Sequence, residues 1–161
     1  MTGMKRLKSI ALGGVIAALY VALTVALAPL SYGPLQFRVS EVLTLLPFCV
    51  PEAVPGLFIG CAIANFFGGY GLLDVVVGGL STLFAAWLTA RTKNLWLAAL
   101  PPVLVNALAV GAMLHYVADV PFWLTCGEVG LGQAGVCYLL GVPLMKALLA
   151  RGIIKRKQMK N

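Results

Sequence analysis

The chain has 161 residues, 61% hydrophobic and 11% charged, with a net charge of +7 and a mean hydropathy of +0.97. These proportions exclude an ordinary soluble domain, whose charged share is about 25%, and predict an all-α integral membrane protein. The basic residues sit beside apolar runs and form no groove-reading motif, which argues against nucleic acid as a partner and for membrane topology.

No Ser-rich or low-complexity linker divides the sequence. Residues 1–161 therefore read as a single transmembrane domain, with a basic segment at 1–8 and a basic tail at 151–161. Lys5, Arg6 and Lys8 precede Ser9 to Ala28, an uncharged run long enough at ~1.5 Å per residue to cross a ~30 Å hydrocarbon core. Ala26, Leu27 and Ala28 mimic a signal-peptide cleavage site. The run nevertheless exceeds the usual ~7 to 15 residue apolar region and Pro29 would follow the cut, so a retained first helix is expected. Within it Gly14, Ala18, Ala22 and Ala26 recur every four residues, a stripe of small side chains where another helix backbone can come close. Internal packing and a partner-subunit surface both fit this stripe.

Ser40 to Val50 is short for a full span. If it crosses, Lys5, Arg6, Lys8, Arg91, Lys93, Lys146, Arg151, Lys155, Arg156, Lys157 and Lys160 all face the cytoplasm and only Arg38 faces out. If it is re-entrant, the Arg91 loop and the basic tail end up outside, so the positive-inside rule favours crossing. Six helices are expected: Ser9 to Ala28, Ser40 to Val50, Ala53 to Phe67, Leu72 to Ala90, Leu95 to Tyr116 and Pro121 to Ala150. Both termini are then cytoplasmic in a multi-pass protein. Glu52 is placed to interact with the dipole of the third helix, and Gly56, Gly60 and Ala64 read as an internal packing stripe. Pro101, Pro102 and Pro143 should bend or interrupt their helices.

The soluble-enzyme signals are weak. Gly130 to Gly135 matches the dinucleotide fingerprint letter for letter, but no strand precedes it and close helix packing is the better reading. No phosphate-binding loop is present, so the chain does not read as its own ATPase. Cys49, Cys61, Cys126 and Cys137 lie in apolar runs and read as packing residues, and His115 has no metal-ligand set around it. No metal and no enzymatic activity are expected.

Polar residues distributed by depth carry the functional signal. Gln36, Arg38 and Glu41 lie in or just after the first outer loop, Asn65 near the outer end of the third helix, and Asp74 at the outer start of the fourth. At ~1.5 Å per residue, Asn106 lies about 15 Å and Glu128 about 10 Å below the outer helix ends. Ionisable groups in a membrane are expensive enough to mark a functional site. Glu41, Asp74, Asp119 and Glu128 set against Arg38 make the outer half acidic, which suits a donor-rich or cationic ligand. Tyr32, Phe37, Tyr70, Tyr116, Phe122 and Trp123 lie at the same level, either to stack on a planar ring or as an aromatic belt.

The run from Gly33 to Asp74, with Gln36, Phe37, Arg38, Ser40 and Glu41, followed by Pro101, Pro102, Asn106 and then Pro121, Phe122, Trp123 and Leu124, resembles the QueT family over nearly the whole chain. The resemblance implies a six-helix bundle of the S-component type, the substrate-binding subunit of an energy-coupling factor importer in the bacterial cell membrane. It implies partnership with a transmembrane coupling subunit and two ATPase subunits, which hydrolyse ATP, so that no cofactor is bound by this chain. Gly14, Ala18, Ala22 and Ala26 would meet the coupling subunit. The implied ligand is a queuosine precursor: 7-aminomethyl-7-deazaguanine, its 7-cyano counterpart or queuine. Expected substrate-binding residues are Gln36, Arg38, Glu41, Asn65, Asp74, Asn106, Trp123 and Glu128, with Glu128 reading the donor edge of the base. The alternatives are an S component for another vitamin-like molecule, a stand-alone secondary transporter with its own coupling-ion site, or an intramembrane enzyme.

Overall fold

The computed structural model describes residues 3–33 and 35–155. Pro34 and the tail residues Arg156, Lys157 and Lys160 lie outside the described residues. Among those described there are helices and no strands: α1 (Gly3–Ala26), α2 (Ala28–Ser31), a 3-10 helix (Val39–Phe48), α3 (Ala53–Phe66), α4 (Gly71–Thr89), α5 (Leu95–Ala98), α6 (Leu100–Ala118), α7 (Phe122–Ala134), a π-helical segment (Gly135–Gly141) and α8 (Val142–Ala150).

Four stretches are long and apolar enough to cross a membrane: Gly3–Ala26, Gly71–Thr89, Leu95–Ala118 and Phe122–Ala150. Val39–Phe48 and Ala53–Phe66 are apolar but shorter, about 20 Å and 21 Å at rises of ~2.0 and ~1.5 Å per residue. Helix length therefore supports four of the six expected spans. The expected span from Leu95 is interrupted at Ala99, between α5 and α6, and Pro101 and Pro102 follow in the first turn of α6, where their missing N–H groups cost no intrahelical bond. Pro143 follows the π-helical segment; its ring supplies no N–H for an α-helical turn, and the wider turns absorb the mismatch.

The helices pack in order, α1 on α3, α3 on α4, α4 on α6 and α6 on α7, while the 3-10 helix lies between α1, α4 and the π-helical segment. That central position leaves Ser40, Glu41, Val42, Thr44, Leu45, Pro47 and Phe48 buried. A ten-residue 3-10 helix is unusual, but irregular backbone is tolerated at membrane depth where protein surrounds it.

Small residues set the tightest approach. A Cβ at Gly56 would collide with the Gly13 carbonyl oxygen, and one at Gly60 would lie 2.9 Å from Tyr20 Cβ. Gly56, Gly60 and Ala64 thus pack internally against α1. The other face of α1 behaves differently, because Gly14, Ala18, Ala22 and Ala26 are all exposed. Large apolar side chains such as Leu19, Leu80, Leu104 and Leu139 also point outward, as a hydrocarbon solvent requires. Arg91 over Trp87, at 3.4 Å to the ring centroid, and Lys146 over Trp96, at 4.8 Å, are cation–π pairs suited to a membrane–water boundary.

Candidate functional site: a buried polar cluster around Arg38

The segment between α2 and the 3-10 helix turns into the bundle. Gln36 adopts φ 47°, a left-handed conformation uncommon outside glycine. Its N–H donates to the Gly33 carbonyl at 2.9 Å, and the Arg38 N–H donates to the Gln36 carbonyl at 2.8 Å. Two tight turns in succession carry the Gln36 and Arg38 side chains inside, at 2% and 4% exposure. Glycines on the opposite wall make room. A Cβ at Gly132 would collide with the Leu35 carbonyl oxygen, and one at Gly135 would come within 3.1 Å of the Phe37 ring. The fingerprint-like letters from Gly130 to Gly135 therefore serve close packing, as the missing strand suggests.

Arg38 is the hub. Its Nε hydrogen is shared between Gln36 Oε1 at 2.8 Å and the Ser31 carbonyl at 3.2 Å, and Nη1 donates to Asn65 Oδ1 at 2.6 Å. Asn65 Nδ2 in turn donates to the Asp74 carbonyl at 2.9 Å, and Nη2 lies 4.0 Å from Asp74 Oδ1. Gly78 exists for this arrangement, since a Cβ there would collide with the Asn65 amide. Burial opposes the charge on Arg38, and the Asp74 and Glu41 carboxylates help to offset that cost.

Glu41 opens the 3-10 helix and faces the same interior. Its Oε1 accepts from the Tyr20 hydroxyl. Thr24 Oγ1, one turn further along α1, lies 2.7 Å from both the Tyr20 carbonyl and Ser40 Oγ. Thr44 Oγ1 donates to the Glu41 carbonyl at 2.6 Å.

Gln36, Arg38, Glu41, Asn106 and Gln133 line one small cavity of about 10 Å³, space for a single water molecule. Among the described residues Gln36 Nε2, Arg38 Nη2, Glu41 Oε2, Gln133 Oε1 and both Asp74 carboxylate oxygens are buried without a hydrogen-bond partner. Buried polar groups of folded proteins are normally paired, and orphans are rare enough to need an explanation. Here six such atoms sit on five neighbouring side chains, donors and acceptors both.

The structure thus brings together six of the eight expected residues: Gln36, Arg38, Glu41 and Asn106 on the cavity wall, with Asn65 and Asp74 behind Arg38. It does not bring in Trp123, which is 79% exposed at the first turn of α7. Nor does it bring in Glu128, which is half-buried and does not line the cavity. The buried face of α7 runs through Thr125, Cys126, Val129, Gly132 and Gln133, and Glu128 is not among them. Gln133, Thr82 and Cys61 on the cavity wall, and Tyr20 on Glu41, are not among the expected residues. The signal for Gln133 was helical phase, four residues beyond Val129, masked by the glycines around it. No group of three or more potential metal ligands occurs among the described residues, and His115 Nδ1 lies 2.6 Å from the Val120 carbonyl.

The family model for the QueT transporter matches residues 10–150. The chain is 37% identical over 135 residues, covering 74% of it and 79% of the relative, to the "Queuosine precursor transporter QueT" of Lactococcus lactis subsp. cremoris (strain MG1363). No solved structure matches the chain. The family match runs from within α1 to the end of α8, and the chain belongs to the QueT transporter family.

Proposed function

We propose that this chain is the substrate-binding subunit of an ATP-driven energy-coupling factor importer in a bacterial cell membrane and captures a 7-deazaguanine queuosine precursor from outside. The observation that carries this reading is the set of buried, unpartnered donors and acceptors on Gln36, Arg38, Glu41 and Asp74, in a chain whose other buried surface is largely apolar. A guanine-type base has N–H groups for a carboxylate and an O6 acceptor for a guanidinium or amide. Two carboxylates against one guanidinium favour a ligand with a positive charge, as the aminomethyl compound carries. The relative's printed name supports the substrate class.

The cavity is far smaller than the ~300 to 1,000 Å³ of ordinary ligand pockets, so a bicyclic base needs its walls to part. The seam where the Leu35 carbonyl meets Gly132 is the close-packed contact between the inward loop and α7, and we assign the opening to it.

The donor-edge role falls to Glu41 instead of Glu128. Replacing Glu41 by Gln turns one acceptor into a donor facing the ligand's donors, and losing a charge-assisted hydrogen bond costs about 1.5 to 3 kcal/mol, roughly tenfold to more than a hundredfold in affinity. Calorimetric titration of the purified chain with 7-aminomethyl-7-deazaguanine should show saturable binding, that loss in Glu41→Gln, and affinity within about threefold of wild type in Glu128→Gln. Absence of binding by the wild type would remove the proposal.

Six spans with Arg38 outside, and Lys93 and both termini in the cytoplasm, best satisfy the positive-inside rule. Lys5, Lys8 and Glu52 line one groove, consistent with a shared end for the starts of α1 and α3. A cysteine at position 93 labelled from outside by an impermeant maleimide would contradict this orientation.

The exposed stripe Gly14, Ala18, Ala22 and Ala26 suits contact with the coupling subunit, since small side chains let a second helix approach. Ala18→Trp or Ala22→Trp should leave ligand binding by the isolated chain unchanged while abolishing assembly and transport. Normal transport by both variants would exclude this face.

A further inference from the structure

Gln133 is 2% exposed, and its Oε1 has no hydrogen-bond partner among the described residues. Its neighbours fix where it faces. Gly132 abuts the Leu35 carbonyl, and Cys137, four residues on and on the same helix face, has its Sγ 4.0 Å from the Glu41 carbonyl oxygen. Gln133 therefore joins the cavity wall beside Gln36 and Glu41. The wide π-helical turns begin two residues later, at Gly135, a feature frequent at functional sites.

Glu41 Oε2 and Gln133 Oε1 are both buried acceptors without donors on one small cavity. Two such oxygens repel one another unless N–H groups lie between them. A ring N–H beside an exocyclic amino group supplies three N–H bonds on one edge: a carboxylate spans two of them, and the third points away to a separate acceptor. We propose that Gln133 takes this third N–H and, together with Glu41 on the other amino hydrogen, makes the exocyclic 2-amino group a requirement for binding. The proposal rests on the reading of the cavity as a 7-deazaguanine site and names the group that distinguishes its ligand from bases lacking the amine.

The test is titration of the purified full chain with 7-aminomethyl-7-deazaguanine and with its analogue lacking the 2-amino group, for wild type, Gln133→Met and Gln133→Glu, each eluting as a monodisperse species. Wild type should prefer the 2-amino compound by about tenfold or more, the scale of a buried hydrogen bond left unmade. Gln133→Met, close to glutamine in size, should shrink that preference by about fivefold or more, leaving the part that Glu41 supplies through the other amino hydrogen, and Gln133→Glu, which keeps an acceptor at the same place, should retain it in full. A wild-type preference undiminished in Gln133→Met, or equal binding of both compounds by wild type, overturns the role of Gln133 while leaving the substrate class standing. Binding of neither compound by wild type removes the substrate class itself. If Gln133→Met does not fold, Gln133→Glu decides: a preference lost there means the amide acts as a donor and the proposal fails.

Discussion

A guanidinium carries five N–H donors and holds its proton under all ordinary conditions, so burying one dictates what surrounds it. Arg38 is 4% exposed in a chain that presents hydrocarbon to its surroundings. Its donors draw in the end of α2 through the Ser31 carbonyl, the loop through Gln36 and α3 through Asn65, with Asp74 of α4 as counter-charge. The positive φ of Gln36 and the bare Cα of Gly78 follow from that demand, the first to bring the loop inward and the second to admit the Asn65 amide.

Lipid removes the usual drive to bury apolar side chains, since hydrocarbon outside is as good a solvent for them as the interior. Close backbone packing and buried hydrogen bonds then hold the helices together. Glycine supplies the first at Gly13 and Gly56. The second is supplied by Tyr20 on Glu41, Thr125 on the Gly111 carbonyl and Thr89 on the Ala98 carbonyl. Among the described residues the polar centre around Arg38 is left incompletely paired, and the proposed function is assigned to it on that ground. The two faces of α1 divide the labour, with Gly13, Ala17 and Tyr20 turned to α3 and Ala18 and Ala22 left exposed.

Membrane class and the positions of the four long apolar helical stretches could be read from composition and run length. The 3-10 winding of Val39–Phe48 could not, because it depends on burial by three neighbouring elements. In the site, the direction in which a helical side chain points was not legible. Asn106 and Glu128 were placed by counting residues from helix ends, a procedure blind to which way a side chain points; Asn106 reaches the cavity and Glu128 does not. Gln133 carries no charge and sits among glycines, so it gave no signal of cost. The loop residues were easier, because three charged or amide groups within six positions, Gln36 to Glu41, had no soluble surface to explain them.

The most direct measurement is a double-mutant cycle on the buried pair, with unfolding free energies in detergent for wild type, Arg38→Met, Asp74→Asn and the double variant. Removing one member of a buried ion pair strands the other and costs about 3 to 5 kcal/mol. If Arg38 organises the site as described, Arg38→Met should lose stability on that scale and adding Asp74→Asn should recover part of the loss. Equal stability of Arg38→Met and wild type, or a double variant that loses the sum of the two single losses, would contradict a structure built around this guanidinium.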